Sequence, residues 1–112
     1  MSFLEQIREK EKIRILIADD MKSMRQTLRA MLAELGYKNT IEAPNGLTAW
    51  EKLQINKVDL AILDWNMPGF SGIEVLRKAR ANDRLADIPF IIVTAEVAEE
   101  TIAEAAETEV DA

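Results

Sequence analysis

Two short, largely apolar runs, each stopped by acid, constrain this chain more than any other feature. Ile13 to Ala18 (IRILIA) runs into Asp19 and Asp20, and Leu60 to Leu63 (LAIL) runs into Asp64. Runs of this length, bounded by turn signals, read as strands buried on both faces, the pattern of a parallel sheet. In an open parallel sheet, functional groups collect beyond the carboxyl ends of the strands. Three carboxylates, Asp19, Asp20 and Asp64, are thereby expected at one edge of the fold. Such a cluster repels itself unless a cation lies within it. A hard divalent ion with oxygen ligands, Mg2+ before others, is its natural partner. The chemistry that suits the set is metal-assisted phosphoryl transfer onto a carboxylate.

The remaining pattern alternates strand and helix. Residues 1–12 read as a helical or frayed lead-in. Met24, Leu28, Met31, Leu32 and Leu35 recur at helical spacing, and Gly36 is placed to stop that helix. The methionines of this stripe read as core filler. Thr40 to Ala43 is a short second strand closed by Pro44, Asn45 and Gly46. Leu47 to Ile55 is a helix with Leu47, Trp50 and Leu53 at apolar spacing, and Val58 to Leu63 is the third strand. The loop NMPG leads to a helix from about Ser71 to Asn82, with Ile73, Leu76 and Ala79 inward and Val75 flanking. Ser71 and Glu74 have capping-box spacing. Pro89 to Thr94 (PFIIVT) is the fourth strand, and Glu96 to about Thr108 favours helix. The βαβαβαβα order with short connections indicates an α/β parallel sheet.

Composition narrows the chemistry. At 112 residues and 48% apolar, the chain forms one domain with a real core. No apolar stretch approaches bilayer length, and MSFLEQIREKEK lacks a signal-peptide core. A soluble, cytoplasmic protein is the expectation. With no cysteine there is neither a disulfide framework nor a thiolate metal site. With no histidine, a His-based triad, imidazole ligation and a phosphohistidine on this chain are all excluded. The net charge of −6 is uneven: Glu96 to Ala112 carries seven acids and no base, and the remainder is close to neutral. No basic stripe exists for nucleic acid. The acidic segment reads as a solvated helix face, or else as a docking surface for a basic partner.

The segments ILIADD, LDWNMPGFSGIEVLRKAR and IPFIIVTAE, in this order and spacing, resemble the receiver domains of bacterial two-component response regulators. The likeness covers about residues 13–112, with residues 1–12 as the lead-in, and is strongest to the single-domain chemotaxis regulators. It implies a flavodoxin-like, doubly wound sheet of order 2-1-3-4. It also implies that Asp64 is the phosphoacceptor, with a histidine kinase as donor. Asp19 and Asp20 would hold Mg2+ with Asp64 and the main-chain carbonyl of Asn66. Thr94 resembles the switch hydroxyl and Ala95 the small residue that keeps the site open. Met67, Pro68 and Gly69 resemble the loop that shapes the site, and Gly72 the tight turn into the third helix of the pattern. Glu96 would tune the rate or serve as a first-turn acid. Trp65 would be an exposed ring beside the site or a partner-surface residue. The flagellar motor switch is the implied output partner.

Simpler roles compete residue by residue, since an aspartate at a strand end is often only a helix N-cap. The sequence also departs from the family. The segment resembling EVDA leads, in the family, to a fifth strand with a lysine before a proline, and then to a fifth helix. No Lys-Pro pair occurs here, and Lys57 and Lys78 lie in other segments. The aromatic switch residue of the fifth strand is missing too. The expectation is a C-terminally truncated receiver in which Mg2+ binding survives better than phosphorylation. PFIIVT would then form an association-prone edge. A strand-paired or swapped homodimer, or a partner strand added in trans, would cover it. The alternative from another class is a folding fragment or self-associating scaffold without signalling. A phosphohydrolase acting through an aspartyl phosphate is disfavoured, because Asn66 stands where such enzymes place a second acid.

Overall fold

Four strands whose side chains alternate between two faces divide the core of this protein in two. The computed structural model describes residues 2–93. Along them run α1 (Phe3–Lys12), β1 (Arg14–Ala18), α2 (Lys22–Glu34), β2 (Asn39–Ala43), α3 (Gly46–Ile55), β3 (Leu60–Asp64), α4 (Gly72–Arg80) and β4 (Phe90–Val93). The sheet has the order β2-β1-β3-β4, and every pairing is parallel. This is the doubly wound, flavodoxin-like arrangement expected.

On one face Leu16, Ala18, Ala61, Leu63 and Phe90 meet Ala49 and Leu53 of α3 and Ile73, Val75, Leu76 and Ala79 of α4. On the other, Ile15, Ile17 and Ile62 meet Leu28 and Leu32 of α2. The period of two along each strand therefore feeds both layers, which is why these runs are apolar throughout.

Local signals bound the helices, at Ser71 and Gly36 as expected and at Asn45, read from the sequence only as a turn residue, in addition. Ser71 Oγ accepts from the Glu74 N–H at 3.3 Å, and Asn45 Oδ1 accepts from the Thr48 N–H at 2.7 Å. Gly36 follows α2 at a φ of +97°, a conformation that favours glycine. The lead-in is an ordered helix. Lys10 ties it to the end of α2 by donating to the Leu35 carbonyl at 3.0 Å, while Phe3 and Leu4 remain exposed.

Two apolar assignments need correction. Met24 and Met31 of α2 and Leu35 just after it are exposed, while among the described residues Leu28 and Leu32 pack on the sheet. Leu47 is 51% exposed. It belongs to the first turn of α3, and that turn abuts the loop before α4 rather than the sheet: the Gly46 N–H donates to the Pro68 carbonyl at 3.0 Å. A Cβ on Gly46 would fall 1.7 Å from the Phe70 carbonyl oxygen, so only glycine permits this approach. The segment from Glu96 to Thr108 lies outside the described residues.

This difference in burial is measurable. Leu76 has no exposed surface, and Leu76→Ala should cost about 2–5 kcal/mol in urea unfolding. Leu47→Ala should stay within about 0.5 kcal/mol of the parent. Equal losses at the two positions would contradict the packing.

Candidate functional site

Parallel register is what brings the acids together. Ala18 of β1 pairs with Leu63 of β3, so the next residue on each strand, Asp19 and Asp64, emerges at the same edge. The Asp19 N–H donates to the Ala43 carbonyl at 3.1 Å, carrying the ladder one step beyond β1. Asp20 follows in the turn into α2. A carboxylate oxygen from each of Asp19, Asp20 and Asp64 lies within 4.8 Å of the other two. Asp19 is only 6% exposed, Asp64 is half-buried and Asp20 is exposed.

This arrangement is electrostatically strained without a counter-charge. Burial raises the Asp64 pKa above the ordinary aspartate value of 3.8, and the neighbouring Asp19 charge raises it further. The main-chain N–H groups of Asn66 and Trp65 pull the other way, and Asp20 adds a smaller upward push. Among the described residues, none of the three carboxylates is salt-bridged to a lysine or arginine. A hard, oxygen-seeking cation fits this donor set. The helix-capping role is not realised: the N-cap of α2 is Met21, without a side-chain capping bond, and Asp19 Oδ1 accepts instead from the Met21 N–H at 2.8 Å, ahead of the helix. That bond engages one of the two Asp19 carboxylate oxygens.

The loop after β3 frames the site from behind. The Trp65 N–H donates to the Val93 carbonyl at 2.8 Å, and its carbonyl accepts from the Gly72 N–H at 2.9 Å. Trp65 is 9% exposed and packs in the larger core cluster, so the expected exposed ring is corrected. Met67 is buried in the same cluster, while Asn66, Pro68 and Gly69 lie exposed at the rim. Gly69 adopts a φ of +79°. Gly72 does more than open α4. A Cβ there would fall 2.4 Å from the Asp64 carbonyl oxygen, so α4 starts directly against the backbone of the key acid. Thr94, Ala95 and Glu96 lie outside the described residues.

One residue near the site went unnoticed in the sequence. Arg25, in the first turns of α2, donates through Nη1 to the Asp19 carbonyl at 2.7 Å and through Nε to Glu42 Oε1 at 3.2 Å. No local pattern announces it, because one of its partners is a main-chain oxygen placed by the fold.

Comparison with known proteins agrees with this fold. The response regulator receiver domain, as a family, matches residues 15–112. The "Chemotaxis protein CheY" of Pseudomonas aeruginosa is 43% identical over 99 residues, covering 88% of this chain and 80% of that protein. Among solved structures, the chemotaxis response regulator CheY4 of Vibrio cholerae superposes with a TM-score of 0.79 at 28% identity, covering 88% of this chain and 81% of that one. The Mn2+-bound form of the response regulator Rcp1 gives a TM-score of 0.82 at 26% identity, with 88% and 77% covered.

Two outcomes test the site. In the folded, metal-free protein the raised Asp64 pKa means that ionising this group costs stability. Its favourable contribution is complete below pH 3.8, the unfolded value, and is lost as the pH rises through the folded value. Asp64→Asn should therefore raise the metal-free melting temperature at pH 7 and leave it little changed near pH 3, as measured by calorimetry. Gly72→Ala should displace the Asp64 backbone and weaken Mg2+ binding while Asp64 itself is intact. Parent-like Mg2+ affinity in the Gly72→Ala protein would show that this close contact is dispensable.

Proposed function

The chain belongs to the response regulator receiver family, and on that premise we propose that it accepts a phosphoryl group on Asp64 from a histidine kinase. The observation that carries the reading is the set of three carboxylates whose oxygens lie within 4.8 Å at the ends of β1 and β3. Asp19, Asp20 and Asp64 would hold Mg2+, with the Asn66 main-chain carbonyl completing the protein ligands. When bound, Mg2+ offsets the repulsion between a carboxylate and a phosphoryl dianion and helps align them for in-line attack.

The chain's own residues supply the rest. An Asp64 carboxylate oxygen forms the new bond to phosphorus as the bond from phosphorus to the donor's imidazole nitrogen breaks. Partial burial strips some of the hydration from Asp64 and so favours it as a nucleophile over a free surface acid. The Thr94 hydroxyl is positioned in the family pattern to donate to a phosphoryl oxygen, and Ala95 leaves room for it. Met67, Pro68 and Gly69 shape the mouth of the site, and Glu96 tunes the rate of loss of the group. The same acid cluster would support self-catalysed dephosphorylation. Output would follow from a change of charge and hydrogen bonding at the strand ends that a neighbouring loop and helix register. A flagellar motor switch protein is the partner proposed, in line with relatives described as chemotaxis proteins.

The test is incubation with acetyl phosphate and Mg2+, read by intact mass. A phosphoryl adduct should form on the parent protein and be absent both in Asp64→Asn and when Mg2+ is chelated. A folded parent protein that gains no mass under any of these conditions would leave the receiver fold without its chemistry, and the scaffold reading would replace this one.

A further inference from the structure

The main chain of Asp19 is held at both of its polar atoms. Its N–H donates to Ala43 across the sheet at 3.1 Å, and its carbonyl accepts from Arg25 Nη1 at 2.7 Å. The Arg25 side chain is 14% exposed, and its Nε meets Glu42 at 3.2 Å. Glu42 is fixed in turn. Its second carboxylate oxygen faces Arg29 Nη1 at 3.6 Å, and its main-chain carbonyl accepts from Lys52 Nζ. One rigid guanidinium thus ties the turn after β1 to β2, at the residue preceding Ala43.

Two roles for Arg25 predict opposite signs. A cation beside an acid cluster opposes the binding of a second cation, so its removal should tighten Mg2+. Glu42 pairs with that charge and blunts its reach. A clamp acts the other way. The turn it holds carries Asp19 and Asp20, and Asp19 Oδ1 is itself bonded to the Met21 N–H within that turn at 2.8 Å. Releasing the Asp19 carbonyl frees the backbone from which both carboxylates project. The bonds are short, few and made by a fork that a lysine cannot reproduce.

We infer that Arg25 is a positioning residue for the cation site: by bridging the Asp19 carbonyl and the Glu42 carboxylate, it aims Asp19 and Asp20 at Asp64. The inference rests on the reading of the acid cluster as a Mg2+ site. Arg25 touches no reacting atom and acts through Asp19.

The experiment is calorimetric titration of the full chain with MgCl2, with folding checked by circular dichroism and thermal midpoints recorded beside it. The parent protein should bind saturably. Arg25→Ala should bind roughly tenfold more weakly or worse, the range for groups that orient metal ligands. Arg25→Lys keeps the charge but not the fork, and should also bind more weakly than the parent. Unchanged or tighter binding by folded Arg25→Ala overturns the inference, even where its melting temperature falls, because that is the behaviour of a purely structural strut. If Arg25→Ala does not fold, Arg25→Lys decides alone, and parent-like affinity overturns the clamp. A parent protein that binds no Mg2+ fails earlier, at the cation-site reading, and takes the inference with it.

Discussion

The in-register parallel pairing of β1 with β3 is the constraint on which the rest of this structure depends. Ala18 sits beside Leu63, and each strand then delivers an acid. A slip of one residue would do two things at once. It would exchange the residues facing α2 with those facing α3 and α4, and it would separate Asp19 from Asp64. The two core clusters, Leu16 and Leu63 on one face and Ile15 and Ile62 on the other, therefore hold the site as well as the fold. The glycines serve the same geometry from outside the sheet. Gly72 lets α4 begin against the Asp64 carbonyl, and Gly46 lets α3 begin against the Phe70 carbonyl.

That packing sustains an unfavourable charge arrangement. Burial and the Asp19 and Asp20 charges both act against ionised Asp64. A fold under selection for stability alone would separate these acids or match them with cations. Here two positive groups on the elements around the site go elsewhere: Arg25 bonds a main-chain carbonyl and Glu42, and Lys52 bonds the Glu42 carbonyl. The repulsion is kept at the strand ends, where a bound cation would relieve it, and it is set against an apolar interior with little exposed surface. Local conflict of this kind is where a functional site is expected in an otherwise consistent sequence.

Much of the fold was legible in the chain. Strand runs, the Ser71 cap and the Gly36 stop all depend on neighbours within a few residues, and all form as their local chemistry requires. The misreadings share one cause. Leu47 and the α2 methionines have helical spacing, but spacing gives a face and not the width of what covers it. Trp65 follows an acid at a strand end, and its burial comes from packing in the larger core cluster with residues of other elements. Of the candidate site, the three acids were readable because each ends an apolar run.

The sequence by itself determined that short apolar strands alternate with helices, that acids terminate two of those strands, and that neither thiol nor imidazole chemistry is available. These are properties of composition and of near-neighbour pattern. Tertiary structure alone decided how closely the acids approach, that Gly72 lies against Asp64, and that Arg25 reaches the Asp19 carbonyl. The reason is physical. Each of those contacts joins groups on different elements, and their separation is fixed by how strands register and how helices cross the sheet, quantities that no local stretch of the chain encodes.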